Sequence, residues 1–155
     1  MTDTGLDVPF VPTPRPIVRR MLEVAGTKPG ERLVDLGAGD GRIVIAAAEE
    51  FGARALGVEL HPDRFSLIQN NAASLKPNLQ AVRQNLFQTD LSNADIVTMY
   101  LLPSVNEALR KKLERELHSG ARVVTHDFSM PEWTPSHVEL VQGSKGFHVI
   151  YLYEI

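Results

Sequence analysis

The stretch Asp35-Leu36-Gly37-Ala38-Gly39-Asp40-Gly41-Arg42 decides the fold, because it joins a short apolar strand pattern to an alanine-rich helical one. The strand is predicted over Arg32–Leu36 and the helix over residues 43–51. Glycines in such a turn permit positive φ angles and let a ligand approach the main chain closely. In an open α/β sheet the turn lies at the carboxyl ends of the strands, where ligands bind. The stretch therefore predicts a binding crevice as well as a fold.

Strand and helix patterns alternate on both sides of this turn. Further strands are predicted over residues 54–59, 79–83, 96–100, 122–125, 138–142 and 148–153. Three more helices are predicted from apolar faces, which are Ile17, Val18, Met21, Leu22 and Ala25, then Phe65, Ile68, Ala72 and Leu75 after Pro62, then Val105, Leu109, Leu113 and Leu117. The alternation indicates a parallel α/β sheet with helices on both faces. Only five residues separate the last two strands, too few for a parallel crossover, so these strands are predicted to form an antiparallel hairpin.

The composition is that of one soluble domain. Of the 155 residues, 43% are hydrophobic and 23% are charged, and no apolar stretch is long enough to cross a bilayer. The chain has no cysteine, which excludes disulfide scaffolds, thiolate metal sites and cysteine nucleophiles. With 16 basic and 19 acidic residues, it shows no electrostatic footprint for nucleic acid. No signal-peptide pattern is present, so we expect a cytoplasmic protein without a membrane or nucleic-acid partner.

Two regions are distinguished along the chain. Prolines at positions 9, 12, 14 and 16 mark residues 1–16 as an extended arm, because proline fixes φ and disfavours helix at the preceding residue. Residues 17–155 contain no repeat or linker and are predicted to form a single domain.

Glu59 is the acidic partner of the glycine turn. It ends the second predicted strand, 20 residues after Gly39, where a carboxylate can accept hydrogen bonds from both ribose hydroxyls of a nucleoside. The spacing G-x-G-x-G differs from the dinucleotide fingerprint, and Asp35 would repel a pyrophosphate but attract an ammonium group. These residues favour S-adenosylmethionine, which carries a sulfonium and an ammonium group and no phosphate. A dinucleotide oxidoreductase and a glycine turn without a ligand are the alternatives.

With these residues the sequence resembles the class I S-adenosylmethionine-dependent methyltransferases. The resemblance implies a Rossmann-like sheet of order 3-2-1-4-5-7-6 with strand seven antiparallel. It also implies that the glycine loop wraps the methionine part of the cofactor, that Glu59 holds the ribose and that Asn85, where many members have aspartate, lies beside the adenine. Phe87 is either an adenine neighbour or a core residue. The implied cofactor-binding residues are Thr13, Asp35, Gly37, Ala38, Gly39, Asp40, Gly41, Glu59, Leu60, Asn85, Leu86 and Tyr100.

Three local patterns narrow the resemblance to small protein-lysine methyltransferases, a family with archaeal broad-specificity enzymes and mitochondrial enzymes acting on ATP synthase subunit c. They are residues 9–14 (Pro-Phe-Val-Pro-Thr-Pro), Tyr100-Leu-Leu-Pro103 with Asn106, and Thr125-His126-Asp127-Phe128. The resemblance implies a protein lysine as acceptor, although the sequence shows no membrane-targeting segment, so the subunit c substrate is not carried over. The motif Asp/Asn-Pro-Pro-Tyr/Phe of base-amine methyltransferases is absent. A small-molecule acceptor and a non-catalytic cofactor-binding module are the alternatives.

Tyr100, Asn106 and Thr13 receive roles from this resemblance. Tyr100 would face the sulfonium or the incoming amine, since a ring attracts a nearby cation, or else it is a core residue of a buried strand. Asn106 would orient the amine, or it caps the helix that follows. The arm would close over the cofactor, with the Thr13 hydroxyl bonded to the carboxylate end.

His126 and Asp127 follow strand five at the expected edge of the crevice. Asp127 would attract a protonated lysine and His126 would take its proton near neutral pH, or the two form a polar loop pair. Trp133 either lines the acceptor entrance or plugs the end of the sheet. His61 and Pro62 are expected to begin a helix. The spacing of His, Asp and Glu residues predicts no metal site.

Overall fold

The computed structural model describes residues 10–72 and 78–155. Predictions that concern residues 1–9 and Leu75 lie outside these ranges. The helices are α1 (Arg15–Val24), α2 (Arg42–Phe51), α3 (Pro62–Asn71) and α4 (Pro103–Glu116), with a 3-10 turn at Leu86–Gln88. The strands are β1 (Arg32–Leu36), β2 (Arg54–Val58), β3 (Leu79–Val82), β4 (Ile96–Met99), β5 (Arg122–His126), β6 (His137–Gly143) and β7 (Gly146–Glu154).

The strands form one sheet of order β3-β2-β1-β4-β5-β7-β6. Strands β1 to β5 run parallel, and β7 is antiparallel to both of its neighbours. Both the strand order and the terminal hairpin predicted from the sequence are confirmed. The carboxyl ends of the parallel strands therefore meet at one edge of the sheet, where the glycine loop lies.

Apolar side chains cover both faces of the sheet. On one face, α1 and α2 bury residues such as Ile17, Leu22 and Val44. On the other, α4 buries Leu109 and Leu113 at its predicted spacing. No helix in the described ranges is both long and apolar enough to span a membrane.

The amino-terminal arm ends two residues earlier than predicted. Helix α1 begins at Arg15, with Pro14 as its N-cap residue and Pro16 in its first turn. Proline is tolerated in the first turn of a helix, because the backbone N–H that it lacks has no partner there. These two prolines therefore start the helix rather than extend the arm.

The terminal hairpin reaches beyond the end of β5. The β5–β7 pairing ends at His126 opposite Ile150, whereas β6 and β7 stay paired as far as Gly143 opposite Gly146. The overhanging part of the hairpin brings His148 to the carboxyl edge of the sheet, beside the loop that follows β5.

Candidate functional site

A cavity of about 410 Å³ opens at the carboxyl edge of the sheet. The predicted cofactor-binding residues line it, with the exception of Gly41. Of the predicted catalytic residues, Tyr100 lines it, whereas Asn106, His126 and Asp127 do not. Its walls also contain residues that received no individual role from the sequence, namely Phe10, Val11, Arg42, Ile43, Val58, Arg64, Gln84, Leu101, Leu102, Val105 and Phe128.

The glycine loop is held against β2 by its backbone. The N–H groups of Gly37 and Ala38 both donate to the Val58 carbonyl at 2.9 Å. Gly41 caps α2, and a Cβ there would come within 3.1 Å of the Ile68 side chain. Helix α3 therefore packs directly against Gly41, where a larger residue would not fit. This contact is with the protein interior, and Gly41 does not line the cavity.

Glu59 is buried and held at both carboxylate oxygens. Oε1 accepts the Gly39 N–H at 2.8 Å, and Oε2 accepts the His61 N–H at 3.0 Å. Each carboxylate oxygen has a second lone pair, so both can still accept a hydrogen bond from a ligand. His61 begins α3 as predicted, since its side chain accepts the Asp63 N–H.

Asp35 presents a buried carboxyl group to the same cavity. Its side chain is 3% exposed, and its Oδ1 accepts a 2.9 Å hydrogen bond from Thr98 Oγ1. Burial raises the pKa of Asp35 to about 7; the Thr98 hydrogen bond opposes this rise and the charges of Glu59 and Asp40 add to it. A buried carboxylate with a neutral partner favours a cationic ligand.

Arg42 connects the glycine loop to the arm. Its guanidinium bonds Asp40 at 2.7 Å and donates to the Thr13 carbonyl at 3.1 Å. Burial alone would raise the pKa of Asp40, but the hydrogen bonds and charge of Arg42 hold it below its usual value. The carboxylate of Asp40 is thus neutralised inside the protein, unlike that of Asp35.

The described end of the arm lies over the glycine loop. The Phe10 ring is so close to Gly39 that a Cβ at Gly39 would lie 2.5 Å from Cε1 of the ring. The Arg64 guanidinium carbon is 4.9 Å from the centre of the same ring. Thr13, three residues later, is 4% exposed and also lines the cavity.

Asn85, Leu86 and Phe87 line the cavity beyond β3. Asn85 Oδ1 accepts the Phe87 N–H at 2.9 Å and so caps the 3-10 turn. The Phe87 side chain is 38% exposed, so its interpretation as a core residue is wrong.

The opposite wall of the cavity is aromatic and aliphatic. Tyr100, Leu101, Leu102, Val105 and Phe128 contribute it. Tyr100 is partly exposed, with its ring stacked on that of Phe128 at a centroid distance of 6.2 Å, so it is not a core residue. Burial raises the pKa of Tyr100, and the charge of Asp127 adds to this rise.

His126 lies beneath this wall rather than at its edge. It is the last residue of β5 and is fully buried, with its ring 4.0 Å from that of Tyr100 between centroids. Burial lowers the pKa of His126 to about 4, although Asp127 opposes the change. Burial disfavours the charged imidazole that a proton acceptor at this position would form, and the role of His126 in taking the lysine proton is still a prediction.

His148, which received no role from the sequence, joins His126 and Asp127. Its Nδ1 lies 2.7 Å from His126 Nε2, and Asp127 Oδ2 lies 3.5 Å from the same Nε2. One potential metal-ligating atom from each residue lies within 4.8 Å of the others, a cluster that residue spacing did not indicate. Only the overhang of the hairpin beyond His126 could have revealed it.

Asn106 and Trp133 both lie outside the lining of the cavity. Asn106 is fully buried in the second turn of α4, whose N-cap is Leu102, so the capping interpretation is wrong. Its Nδ2 donates to the carbonyls of Phe128 and Ser129 at 3.1 and 3.2 Å. Trp133 does not line the cavity; it donates to Glu114 at 2.8 Å and packs edge-on against Tyr153.

The antiparallel β7 between β5 and β6 separates this sheet from the dinucleotide-binding folds and defines a class I S-adenosylmethionine-dependent methyltransferase. Residues 35–137 match the family model of the ANTKMT methyltransferase domain. The chain belongs to that family, it is a methyltransferase and its cofactor is S-adenosylmethionine.

The chain is similar in sequence, over most of its length, to several named methyltransferases. A protein-lysine N-methyltransferase of Saccharolobus islandicus is 44% identical over 96% of the chain and 94% of its own length. The adenine nucleotide translocase lysine N-methyltransferase of Mus musculus is 39% identical over 84% of the chain, which covers 57% of that relative. A solved structure, described as an RNA methyltransferase from Salinibacter ruber in complex with S-adenosyl-L-homocysteine, has a TM-score of 0.87 and 44% identity over 94% of each chain.

The residues of the cavity fit the cofactor. Asp35 supplies a buried carboxylate for a cationic group, and Glu59 keeps a free lone pair on each oxygen for the two ribose hydroxyls. The backbone at Gly39 leaves no room for a side chain, as expected where a ligand and a covering segment approach the main chain.

Proposed function

We propose that this methyltransferase acts on the side-chain amine of lysine residues in proteins. The observation that carries the proposal is the wall formed by Tyr100, Leu101, Leu102, Val105 and Phe128. It is uncharged and mostly apolar, as suits the four-carbon stem of a lysine. The phosphate backbone of RNA would instead be expected to meet Lys and Arg side chains. The names of the relatives from Saccharolobus islandicus and Mus musculus support the same acceptor class.

In this proposal the residues around the cavity divide the work of binding. Asp35 meets the ammonium group of the cofactor, Glu59 the ribose hydroxyls, and Asn85 with Phe87 the adenine. The arm covers the cofactor, and the Thr13 hydroxyl meets its carboxylate end. When bound, S-adenosylmethionine supplies an electrophilic methyl group, so the protein mainly has to align the acceptor amine and exclude water.

The acceptor amine must lose a proton before it can attack. Asp127 is partly exposed and lies beside Tyr100, where its charge would attract a lysine ammonium group. The Tyr100 ring would then contact the cation, a contact worth roughly 0.5–2 kcal/mol. Apolar walls around an amine disfavour its charged form, which promotes release of the proton to solvent.

The test is transfer of a labelled methyl group from S-adenosylmethionine into cell lysate. One half of the lysate has its protein lysines blocked by reductive dimethylation, and each half is also treated with ribonuclease or protease. We expect label in protease-sensitive material of the unblocked half only, with methyl-lysine identified by mass spectrometry. Label in ribonuclease-sensitive material would support RNA as the acceptor instead.

Two controls complete this experiment. Asp35→Asn should abolish the label, whereas Asp95→Asn, which removes a carboxylate near the amino end of β1, should keep it. Label confined to small metabolites would contradict the proposal, and cofactor binding without any label would favour a non-catalytic module. Cell fractionation would test the cytoplasmic location, which is still a prediction.

A further inference from the structure

Four side chains form a continuous polar chain from the arm to the terminal hairpin. Thr13 Oγ1 lies 3.1 Å from His126 Nδ1, and His126 Nε2 lies 2.7 Å from His148 Nδ1. Asp127 Oδ2 lies 3.5 Å from His126 Nε2 and 3.6 Å from His148 Nδ1. Thr13 lines the cavity, so this chain connects the cofactor site to the hairpin.

The contact between the two imidazoles requires one shared proton. A neutral histidine carries a proton on one ring nitrogen and accepts with the other. If His126 donates from Nε2, its Nδ1 is an acceptor and the Thr13 hydroxyl must donate to it. If His148 donates from Nδ1, His126 carries its proton on Nδ1 and donates to Thr13 Oγ1. In this second arrangement the hydroxyl hydrogen of Thr13 can point into the cavity.

We propose that His148 is a positioning residue for the cofactor, which donates to His126 and thereby makes the Thr13 hydroxyl a donor toward the carboxylate end of S-adenosylmethionine. The inference rests on the proposed placement of Thr13 beside that carboxylate. Only the second arrangement presents a hydrogen to an anionic group, so a bound carboxylate selects it.

The surroundings of His148 hold its ring in place for this role. The next residue, Val149, is fixed to Asp127 by two hydrogen bonds. Its carbonyl accepts the Asp127 N–H at 2.7 Å, and its N–H donates to the side-chain Oδ1 of Asp127 at 3.0 Å. Asp127 reaches this geometry with a left-handed φ of 62°, which is unusual for a residue with a side chain. The His148 ring also packs over Gly143, where a Cβ would come within 3.0 Å of it.

The distances favour a hydrogen bond over a bound metal ion. Two nitrogens on a tetrahedral zinc ion are about 3.3 Å apart, given bonds of about 2.0 Å. The separation of 2.7 Å between His126 Nε2 and His148 Nδ1 is shorter and suits a direct hydrogen bond. A metal ion bound by His126, Asp127 and His148 would overturn the proposal.

The test compares variants by titration with S-adenosylhomocysteine. His148→Leu removes the donor and should weaken binding about tenfold, the value of one hydrogen bond of ordinary strength. His148→Asn keeps a donor near the position of Nδ1 and should bind nearly as the unaltered protein does. Thr13→Val should weaken binding to the same extent as His148→Leu, and the double variant should lose no more than either alone. His118→Leu, a histidine near the amino ends of the strands, is the matched control.

A direct readout of the imidazole tautomer separates positioning from mere structural support. Long-range proton–nitrogen NMR spectra of the complex with S-adenosylhomocysteine should show His126 protonated on Nδ1. Protonation on Nε2, additive losses in the double variant, or unchanged affinity of His148→Leu would each overturn the proposal. So would one equivalent of zinc in the purified protein that His148→Leu abolishes. Because no acceptor is used, the lysine assignment can fail without affecting these results.

Discussion

Thr98 and Asp35 face each other across the β1–β4 pair, and the threonine hydroxyl donates a 2.9 Å hydrogen bond to the buried carboxyl group. Both residues are almost completely inaccessible to solvent. The pair leaves the carboxyl with a neutral partner, so burial disfavours its charge and a cation that enters the cavity stabilises it. Cofactor binding and the ionisation of Asp35 are therefore coupled.

The affinity for S-adenosylhomocysteine should fall as the pH is lowered below about 7. The pKa of Asp35 in the free protein is about 7, so the carboxyl takes up a proton below pH 7, and a cationic ligand must displace it. One proton exchanged per ligand corresponds to about a tenfold loss of affinity per pH unit. Calorimetry between pH 5.5 and 8.5, in buffers of different ionisation enthalpy, would measure this. Affinity independent of pH would contradict the coupling.

Asp35→Asn should stabilise the protein without ligand while it abolishes cofactor binding. The folded-state pKa of Asp35 is raised, so the stability that the protonated group contributes is present at low pH and is lost as pH rises through about 7. At pH 8 the neutral amide should therefore raise the free energy of unfolding, by up to about 4 kcal/mol. Urea denaturation at pH 8 and pH 5 checks this, with the larger gain expected at pH 8, because at pH 5 only part of the contribution of the protonated carboxyl has been lost.

Glu59→Gln should weaken cofactor binding about 10- to 100-fold, the value of a hydrogen bond to a charged group. Both carboxylate oxygens accept from backbone N–H groups, of Gly39 and His61, and a glutamine keeps only one oxygen, so its NH2 group would face one of these donors without accepting from it. Isothermal titration of S-adenosylhomocysteine measures the loss. Asp95→Asn serves as the control, because that carboxylate accepts the Arg32 N–H near the amino end of β1. Equal losses in both variants would contradict the assignment of Glu59 to the ribose.

Gly39→Ala should cost more than Gly26→Ala, although both glycines have similar positive φ angles, 60° and 64°. A Cβ at Gly26 meets open space, whereas one at Gly39 meets the Phe10 ring at 2.5 Å. Gly26→Ala therefore reports backbone strain alone, about 1–2 kcal/mol by thermal denaturation. Adding Phe10→Ala should relieve the steric part of the loss at Gly39 and leave the strain. No relief in that double variant would mean that the arm does not rest on the loop.

Asn106→Ala should impair use of the acceptor more than binding of the cofactor. The amide holds the carbonyls of Phe128 and Ser129, and Phe128 forms part of the apolar wall. We expect a loss of about 1–3 kcal/mol in stability and a higher KM for the acceptor, with the Kd for S-adenosylhomocysteine unchanged. Leu109→Ala is the control, since it is equally buried on α4 but packs in the core. It should lower stability without changing KM.

The sequence predicted the fold and the cofactor side of the cavity because both depend on local signals. The turn around Gly39 and the acid at Glu59 belong to consecutive strands, so chain order alone brings them together. The acceptor side depends on pairing between distant segments. His148 reaches His126 only because the hairpin overhangs β5, and Asn106 lies inside α4 because Pro103 begins the helix. Neither the overhang nor the helix start has a local signature strong enough to locate it.

Glu59 already has both oxygens held by backbone N–H groups before any ligand is present. The loop and the acid are therefore a preassembled template, and little conformational entropy is lost when the nucleoside part of the cofactor arrives. The arm, through Phe10 and Thr13, lies over this template. We therefore expect loop variants to change how fast the cofactor is captured and arm variants to change how long it stays bound.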